Sequence, residues 1–479
     1  MDVAVIGAGM AGLSAAIYAR QSGREVDLFE QHPTPGGKMR RVTAGGYRFD
    51  IGPSILIEPW IMREPFERAG LACPLEFERS DPLFSIWYEG SDPLVVPADF
   101  EQACQLVRQY APEDYRAFVK MNERMRRASG FVREFFFQRP IKSALDLLNP
   151  SLLRLALSLN PSQTAAGLAE RSFSSPALRG ILSTFPVYTE HPISRSPATA
   201  LFAPFLMIQE GIFYPRGGIY AVAQAFERLA LQLGVRIHYG ARVERIEPAP
   251  GPAYALSVNG ERPAFRQVIS AADYTLTQRL LDPTCDTSGL RPAHSYFAVA
   301  LGSNRSWPQL CHHTFLVPQD YRRAHEQIDR GELPDRPPTY LCAASKQDRN
   351  VAPPGKENLL AVTLVPSRVA GGWERQRDAF AGRLVDFLEE FGLPGLRASL
   401  DVVEVMSPAE IERLFGNFGG SVFGLSGEHN PLFGFRQYNA DRRHPGLYYA
   451  GSTVQPGSGV PLVIRSGKFA ADLAKTSSR

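Results

Sequence analysis

The stretch Val3-Ala4-Val5-Ile6-Gly7-Ala8-Gly9-Met10-Ala11-Gly12-Leu13-Ser14-Ala15-Ala16 opens a chain of 479 residues, and its reading decides the fold. Val3 to Ile6 is a short apolar run, the pattern of a strand buried on both faces of a parallel sheet. Gly7, Gly9 and Gly12 follow as G-x-G-x-x-G, and Leu13 to Arg20 continues as an alanine-rich helix. A dinucleotide-binding turn requires that order of strand, glycines and helix. The first glycine permits the tight turn, the second lets backbone approach a pyrophosphate, and the third lets helix and strand pack closely. The amides around Ala8, Met10 and Ala11 then stand at the positive end of the helix and face the phosphates. Arg24 to Phe29 reads as a second strand ending in Glu30, eighteen residues past Gly12, where a ribose-binding carboxylate belongs. Gln31 follows it. An acid at position 30 argues against a 2′-phosphate, and so against NADP. A bare turn with no ligand would need only the glycines; here strand, glycines, helix, second strand and acid agree.

The length predicts two or three domains. At 44% hydrophobic and 21% charged residues the chain is globular rather than disordered, and a net charge of +3 gives no global pull toward nucleic acid. The five cysteines, at 73, 104, 285, 311 and 342, form no C-x-x-C and read as reduced. No signal-peptide pattern and no membrane-spanning run is visible, so a cytoplasmic location is expected.

Beyond Glu30 comes Pro35-Gly36-Gly37-Lys38, where backbone amides and a cation meet a pyrophosphate readily. Tyr47-Arg48-Phe49-Asp50-Ile51-Gly52-Pro53-Ser54 reads as a strand running into a turn. Taken together, G-x-G-x-x-G, the acid at 30, P-G-G-K and F-D-x-G-P resemble the N-terminus of the flavin-dependent carotenoid desaturases, with the bacterial phytoene desaturases as the nearest type. The resemblance implies FAD as cofactor, with the residues after the double glycine approaching the flavin. Lys38 stands where that family often has arginine.

Two later segments carry the same resemblance. Pro215-Arg216-Gly217-Gly218 precedes a helix expected over 220–233, and in the family such a segment passes close to the flavin ring. Gly451-Ser452-Thr453-Val454-Gln455-Pro456-Gly457-Ser458-Gly459-Val460-Pro461 precedes a helix to about Lys475. In the family that helix start faces the flavin pyrimidine, where its dipole would stabilise the charge of reduced flavin. The resemblance also implies that Val243 touches the adenine and that Ala271 and Asp273 lie at the nucleotide. Gly419 to Gly424, followed by His429-Asn430, is similar to the branch acting on hydroxylated or partly desaturated carotenoids. No second G-x-G-x-x-G occurs, which points to reoxidation by quinone or oxygen rather than a resident nicotinamide.

Residues 116–160 interleave basic side chains with Phe131, Phe135, Phe136 and Phe137 and with Leu145, Leu147, Leu148, Leu152, Leu153, Leu155 and Leu157. This reads as a helical patch for an anionic membrane surface, or as an ordinary core-facing helix with a solvated basic face. Single-stranded nucleic acid is a weaker third reading, because no nucleic-acid module is recognisable. Asp146, flanked by leucines, is the candidate catalytic base: burial would raise its pKa. A surface acid on an amphipathic helix is the competing reading. His312-His313 has no partner at ligand spacing in the sequence, so no metal is expected.

The expected fold is α/β: a Rossmann-like FAD-binding domain, a mixed-sheet substrate domain and a helical membrane-docking insertion. The divisions are 1–75 with 205–285 and 436–479 for FAD, 76–115 with 286–435 for substrate, and 116–204 for the membrane-associating region. The expected activity is FAD-dependent desaturation of a carotenoid, phytoene or a later, hydroxylated intermediate, by hydride transfer to flavin N5. The substrate is a lipophilic polyene drawn from a membrane to which the protein binds peripherally. The competing readings are a carotenoid isomerase or saturase, an amine-oxidase-like enzyme, and a non-catalytic polyene-binding protein.

Overall fold

The computed structural model of the chain describes residues 1–131, 133, 137–143, 145–146, 149–150, 163–184, 189–251, 253–430 and 436–476. Its first sheet has five parallel strands, in the order Leu447–Tyr449, Gln267–Ser270, Val3–Ile6, Val26–Glu30, Arg236–Tyr239. The two N-terminal strands are buried at every position. Alternation explains why. Val3 and Val5 face the helices Met10–Gln21, Tyr220–Gln232 and Val460–Thr476, in a cluster with Leu13, Phe226 and Ile464. Ala4 and Ile6 face the antiparallel strands Val243–Ala249, Ala253–Val258 and Ala264–Phe265, in a cluster with Ile246, Leu256 and Phe265. A strand covered on both sides has no polar face to show, hence the continuous apolar run.

The second sheet has seven strands, in the order Leu400–Met406, Ser295–Ser303, Glu357–Val365, Thr339–Cys342, His313–Val317, Phe84–Tyr88, Leu94–Val96. All its pairs are antiparallel except His313–Val317 with Phe84–Tyr88. The same period of two divides its faces. Phe297, Val299 and Leu301 pack on the helix Trp373–Glu390. Ala298 and Ala300 meet Tyr47, Phe49 and Ile51 of the hairpin Arg40–Ala44/Tyr47–Ile51. That hairpin is the physical bridge from the nucleotide sheet to the second sheet. The helices Phe100–Tyr110, Tyr115–Phe131, Ala165–Ser172, Pro176–Thr184 and Phe202–Glu210 lie over the strands Phe84–Tyr88 and His313–Val317.

Residues 59–115 contain two helices, Pro59–Arg68 and Phe100–Tyr110, besides the strands Phe77–Arg79, Phe84–Tyr88 and Leu94–Val96. Pro59 sits at the start of the first, where its fixed φ and missing N–H cost nothing, and Ile61, Met62 and Phe66 form the buried face. Asp99 caps the second by accepting a bond from the Gln102 amide at 2.9 Å. The basic helix runs Tyr115–Phe131, with Phe118, Met121 and Met125 buried. Phe135, Phe136, Leu147, Leu148, Leu152, Leu153, Leu155 and Leu157 lie outside the described residues. Among the described residues no helix is long and apolar enough to cross a membrane.

Candidate flavin and substrate site

One cavity of about 1100 Å³ runs between the two sheets. Its wall takes in Gly7, Gly9, Met10, Ala11, Glu30, Gln31, Gly36, Gly37, Lys38, Gly52, Pro53, Ser54, Val243, Ala271, Asp273, Gly451, Ser452, Gly459 and Val460. These come from six separate stretches of sequence, and the fold brings them to one surface.

At the nucleotide end, no side chain caps the helix Met10–Gln21 at Gly9. Its first-turn amides therefore have no partner within the helix and face the cavity. A Cβ on Gly12 would lie 1.8 Å from the Gly7 carbonyl oxygen, so only glycine permits this closeness of helix and turn. Gly9 faces the second glycine pair: a Cβ on Gly37 would sit 3.2 Å from the Gly9 Cα, and Gly36 donates its amide to the Ala8 carbonyl at 2.9 Å. Two bare backbones thus form a cleft wide enough for phosphate oxygens to reach the amides. Glu30 accepts the Ala8 amide at 2.7 Å on one oxygen and the His32 amide at 2.9 Å on the other. Each oxygen keeps a lone pair for a ribose hydroxyl. The Ala8 amide is committed to Glu30, so Ala8 shapes the turn rather than lining the cavity. Gln31 donates through Nε2 to the Leu414 carbonyl at 2.9 Å, tying the helix Pro408–Phe415 over this end.

Lys38 Nζ donates to Ser452 Oγ at 2.9 Å. Burial pushes this amine down to about 8, with Asp273 opposing and Arg436 adding to the shift. Asp273 caps the helix Tyr274–Leu281 through one oxygen, bonding the Thr275 and Leu276 amides at 2.8 and 3.3 Å. Its other oxygen is buried without a hydrogen-bond partner, and burial pushes the carboxyl up although the two amides and Lys38 oppose it. At the far end of this wall, Gly459 to Val463 place the first turn of the helix Val460–Thr476 on the cavity. Gly467 lets that helix lie on the first one: a Cβ there would be 2.3 Å from the Ala11 carbonyl oxygen. Two helix starts are thereby aimed at one space. The uncapped amides, paired glycines, carboxylate and buried amine suit a flavin dinucleotide: anion-binding groups at the phosphates and a dipole end at the ring.

Two expectations are corrected. Arg216 is paired with Glu76 and Glu78 at the surface, two-thirds exposed, and does not reach the cavity wall. Gly217 offers its carbonyl to Arg41 at 2.6 Å, and the Tyr220 amide donates to Asp50 at 3.1 Å. The P-R-G-G turn therefore braces the hairpin that carries Gly52 and stays behind the wall. Asp146 is also outside the wall. Its carboxylate accepts the Lys142 and Ser143 amides, each at 2.9 Å, as a local turn. Partial burial pushes its pKa up, but those amide bonds outweigh it and hold the carboxyl below its usual range, the reverse of the shift a proton acceptor needs.

Away from the nucleotide the wall becomes apolar, with Ile55, Ile57, Phe202, Leu206, Met207, Phe315, Val362, Leu364 and Phe423. Sequence reading missed most of these because they come from helices and strands whose facing only tertiary packing decides. It also missed Arg436, which is buried, pairs with Glu190 at 2.7 Å, and donates to the carbonyls of Phe423 and Ser452. A lone arginine in a loop carries no sequence signal for that role.

Behind Tyr340, His312 and His313 meet Cys342, which the register places opposite His313. His312 Nδ1 lies 2.8 Å from Gln347 Oε1, and His313 Nδ1 lies 2.7 Å from the Tyr340 hydroxyl. Burial holds both imidazoles below the usual range, His312 at about 4, and pushes the thiol up to about 12. The rings stack at 4.1 Å with 24° between planes. The Nε2 atoms of both rings are buried without a hydrogen-bond partner, and the three side chains each bring a ligand atom within 4.8 Å of the others, a cluster the spacing along the chain does not show.

A five-stranded parallel sheet with a glycine-lined cleft, joined through one cavity to an apolar chamber on a mixed sheet, defines an FAD-dependent oxidoreductase. The chain belongs to the family of flavin containing amine oxidoreductases, whose sequence profile matches residues 10–474. It is 28% identical over 484 residues to a zeta-carotene-forming phytoene desaturase of Myxococcus xanthus, covering 99% of this chain and 94% of that protein. It is 29% identical over 482 residues to a 4,4'-diapolycopene oxygenase of a Methylomonas species, covering 98% and 97%. Cyclohexylamine oxidase from Brevibacterium oxydans shares the fold with a TM-score of 0.59 at 17% identity, covering 100% of this chain and 99% of that one.

Proposed function

We propose that this oxidoreductase desaturates a carotenoid. The observation that carries the reading is the chamber itself. Every carboxylate of the described cavity wall, Glu30, Glu244, Asp273 and Glu412, belongs to the nucleotide end. The rest offers no described carboxylate to hold a substrate ammonium, which disfavours an amine, and its aliphatic and aromatic lining suits a long apolar polyene. Full-length similarity to carotenoid-acting relatives supports the same substrate class.

Bound FAD supplies a two-electron hydride acceptor. Glu30 is proposed to hold the ribose, the Met10 and Ala11 amides with Lys38 the pyrophosphate, and the start of the helix Val460–Thr476 the flavin ring. Asp273 and Arg436 position Lys38 and Ser452 around it. The apolar wall excludes water and keeps the polyene extended against the ring.

A membrane supplies the substrate in this reading. Moving some forty carbons through water would cost on the order of 30 kcal/mol at about 0.8 kcal/mol per methylene, more than a non-covalent site recovers. The chain therefore docks where the polyene dissolves. The helix Tyr115–Phe131 carries five basic residues against one acid. Arg126 and Arg127 are both engaged by Glu123, leaving Arg116 and Lys120 exposed beside Val119. We assign this helix and the residues up to 204 to the membrane contact, with quinone or oxygen as the final acceptor.

The test is incubation of the FAD-loaded protein with phytoene in anionic liposomes and added quinone, followed by visible absorbance. Growth of the banded spectrum of a lengthened polyene is the expected result. Flavin binding with no spectral change for phytoene or any later carotenoid would refute desaturation.

A further inference from the structure

Among the described residues, the apolar chamber holds a polar side chain that the protein leaves without a partner. His325, on the helix Tyr321–Asp329, lines the cavity beside Ile328 and is 6% exposed. Its Nε2 is buried without a hydrogen-bond partner. Two other polar groups of the wall are already engaged: Thr189 with Ser196 at 3.0 Å, and the Tyr340 hydroxyl with His313 at 2.7 Å. The nearby carboxylate of Asp329 is spent on the Ile193 and Ser194 amides at 2.9 and 3.1 Å and on the Ser194 hydroxyl at 2.6 Å. Ring contact with Tyr321, 5.8 Å between centroids, fixes one edge of the imidazole.

An unpaired ring nitrogen in an apolar wall is costly, and a leucine would fill the space without that penalty. Burial pushes this imidazole down to about 4, with Asp329 opposing and His294 adding to the shift, so it is neutral at pH 7. A neutral imidazole nitrogen either donates or accepts one bond according to tautomer, which matches a hydroxyl and has no use for a hydrocarbon. We infer that His325 binds an oxygen carried by the polyene, so that the preferred substrate is an oxygenated carotenoid, such as an alcohol, in place of a pure hydrocarbon. The inference rests on the polyene reading above and names its substrate class. His325 acts as a specificity residue: a chamber that holds an oxygenated chain satisfies the nitrogen, and one that holds a hydrocarbon buries it unpaired.

The test compares one carotene with the same carotene bearing a single terminal hydroxyl, at equal conjugated length, presented in liposomes to the flavin-loaded protein. Binding is read from the polyene difference spectrum, and turnover from the visible bands. The wild type is expected to favour the alcohol at least tenfold in both readouts. His325→Leu is expected to erase or reverse that ratio, through weaker alcohol and tighter hydrocarbon binding, while His325→Gln keeps part of it. An equal ratio in wild type and His325→Leu, or an equal loss for both polyenes, overturns the inference and leaves the polyene reading standing. Failure of the wild type to bind either polyene overturns both.

Discussion

Gly467→Ala tests how the site is assembled. In the structure a Cβ at 467 would lie 2.3 Å from the Ala11 carbonyl oxygen and 2.8 Å from both the Ala15 amide nitrogen and the Ser14 Cβ. Two of these neighbours are backbone and cannot swing aside. Ordinary contact begins near 3.4 Å, so the helices Met10–Gln21 and Val460–Thr476 must separate by about 1 Å. Overpacking of that size costs about 1–3 kcal/mol. Both helices start at the cavity, so the displacement moves the amides of Met10 and Ala11 relative to Val460. A loss of about 1.4 kcal/mol in cofactor binding is a tenfold weaker Kd, and that is the least effect expected. Release of flavin fluorescence on heating, with titration of the cofactor-free protein by FAD, measures both quantities. Gly382→Ala makes the same chemical change inside the helix Trp373–Glu390, where a Cβ meets nothing within 4 Å. It should raise stability by about 0.5–1 kcal/mol. If Gly467→Ala keeps wild-type flavin affinity and release temperature, the close approach of the two helices is not what shapes the cavity.

Three further outcomes are expected. Lys38 titrates near 8 in the cofactor-free protein, and an anionic pyrophosphate would hold it protonated; binding then takes up a proton above pH 8, and FAD affinity should fall by up to about tenfold per pH unit from 8 to 10. In Lys38→Met the affinity at pH 7 should be lower and that slope flat in fluorescence titrations. Glu30→Gln puts an amide donor against one of the two backbone amides that Glu30 accepts, at a cost of about 1.5–3 kcal/mol, and purified protein should emerge depleted of flavin by absorbance. Asp146→Asn should change kcat by less than about twofold, since its carboxylate serves only a local turn; a large loss in steady-state desaturation would return it to the site.

Much of the nucleotide end was legible in the chain because its signals are local. A strand buried on both faces must be apolar throughout, and a turn where a Cβ would strike a carbonyl must be glycine. Val3 to Gly12 shows both and Gly36 repeats the second, whereas Gly451, Gly457 and Gly459 are glycine for their positive φ of 126°, 136° and 116°. Local signals also misled. Arg216-Gly217 has the composition of a ligand turn, yet a long, exposed arginine finds Glu76 and Glu78 first. Asp146, flanked by leucines, leaves a buried base and a surface acid both open in the sequence; the chain turns back there and caps the carboxylate with its own amides.

By itself the sequence determined the dinucleotide turn, the acid at position 30 and the α/β character, because each depends on neighbours within some thirty residues; FAD was implied by the family resemblance, which motifs spread along the chain carry. Only the tertiary structure decided that Gly467 meets Ala11, that Arg436 ties Phe423 to Ser452, and that His325 stands unpaired in an apolar chamber. Those facts depend on which faces of distant elements meet, and no spacing along the chain records that. A side chain's role at such a place is set by the partners it lacks as much as by those it has.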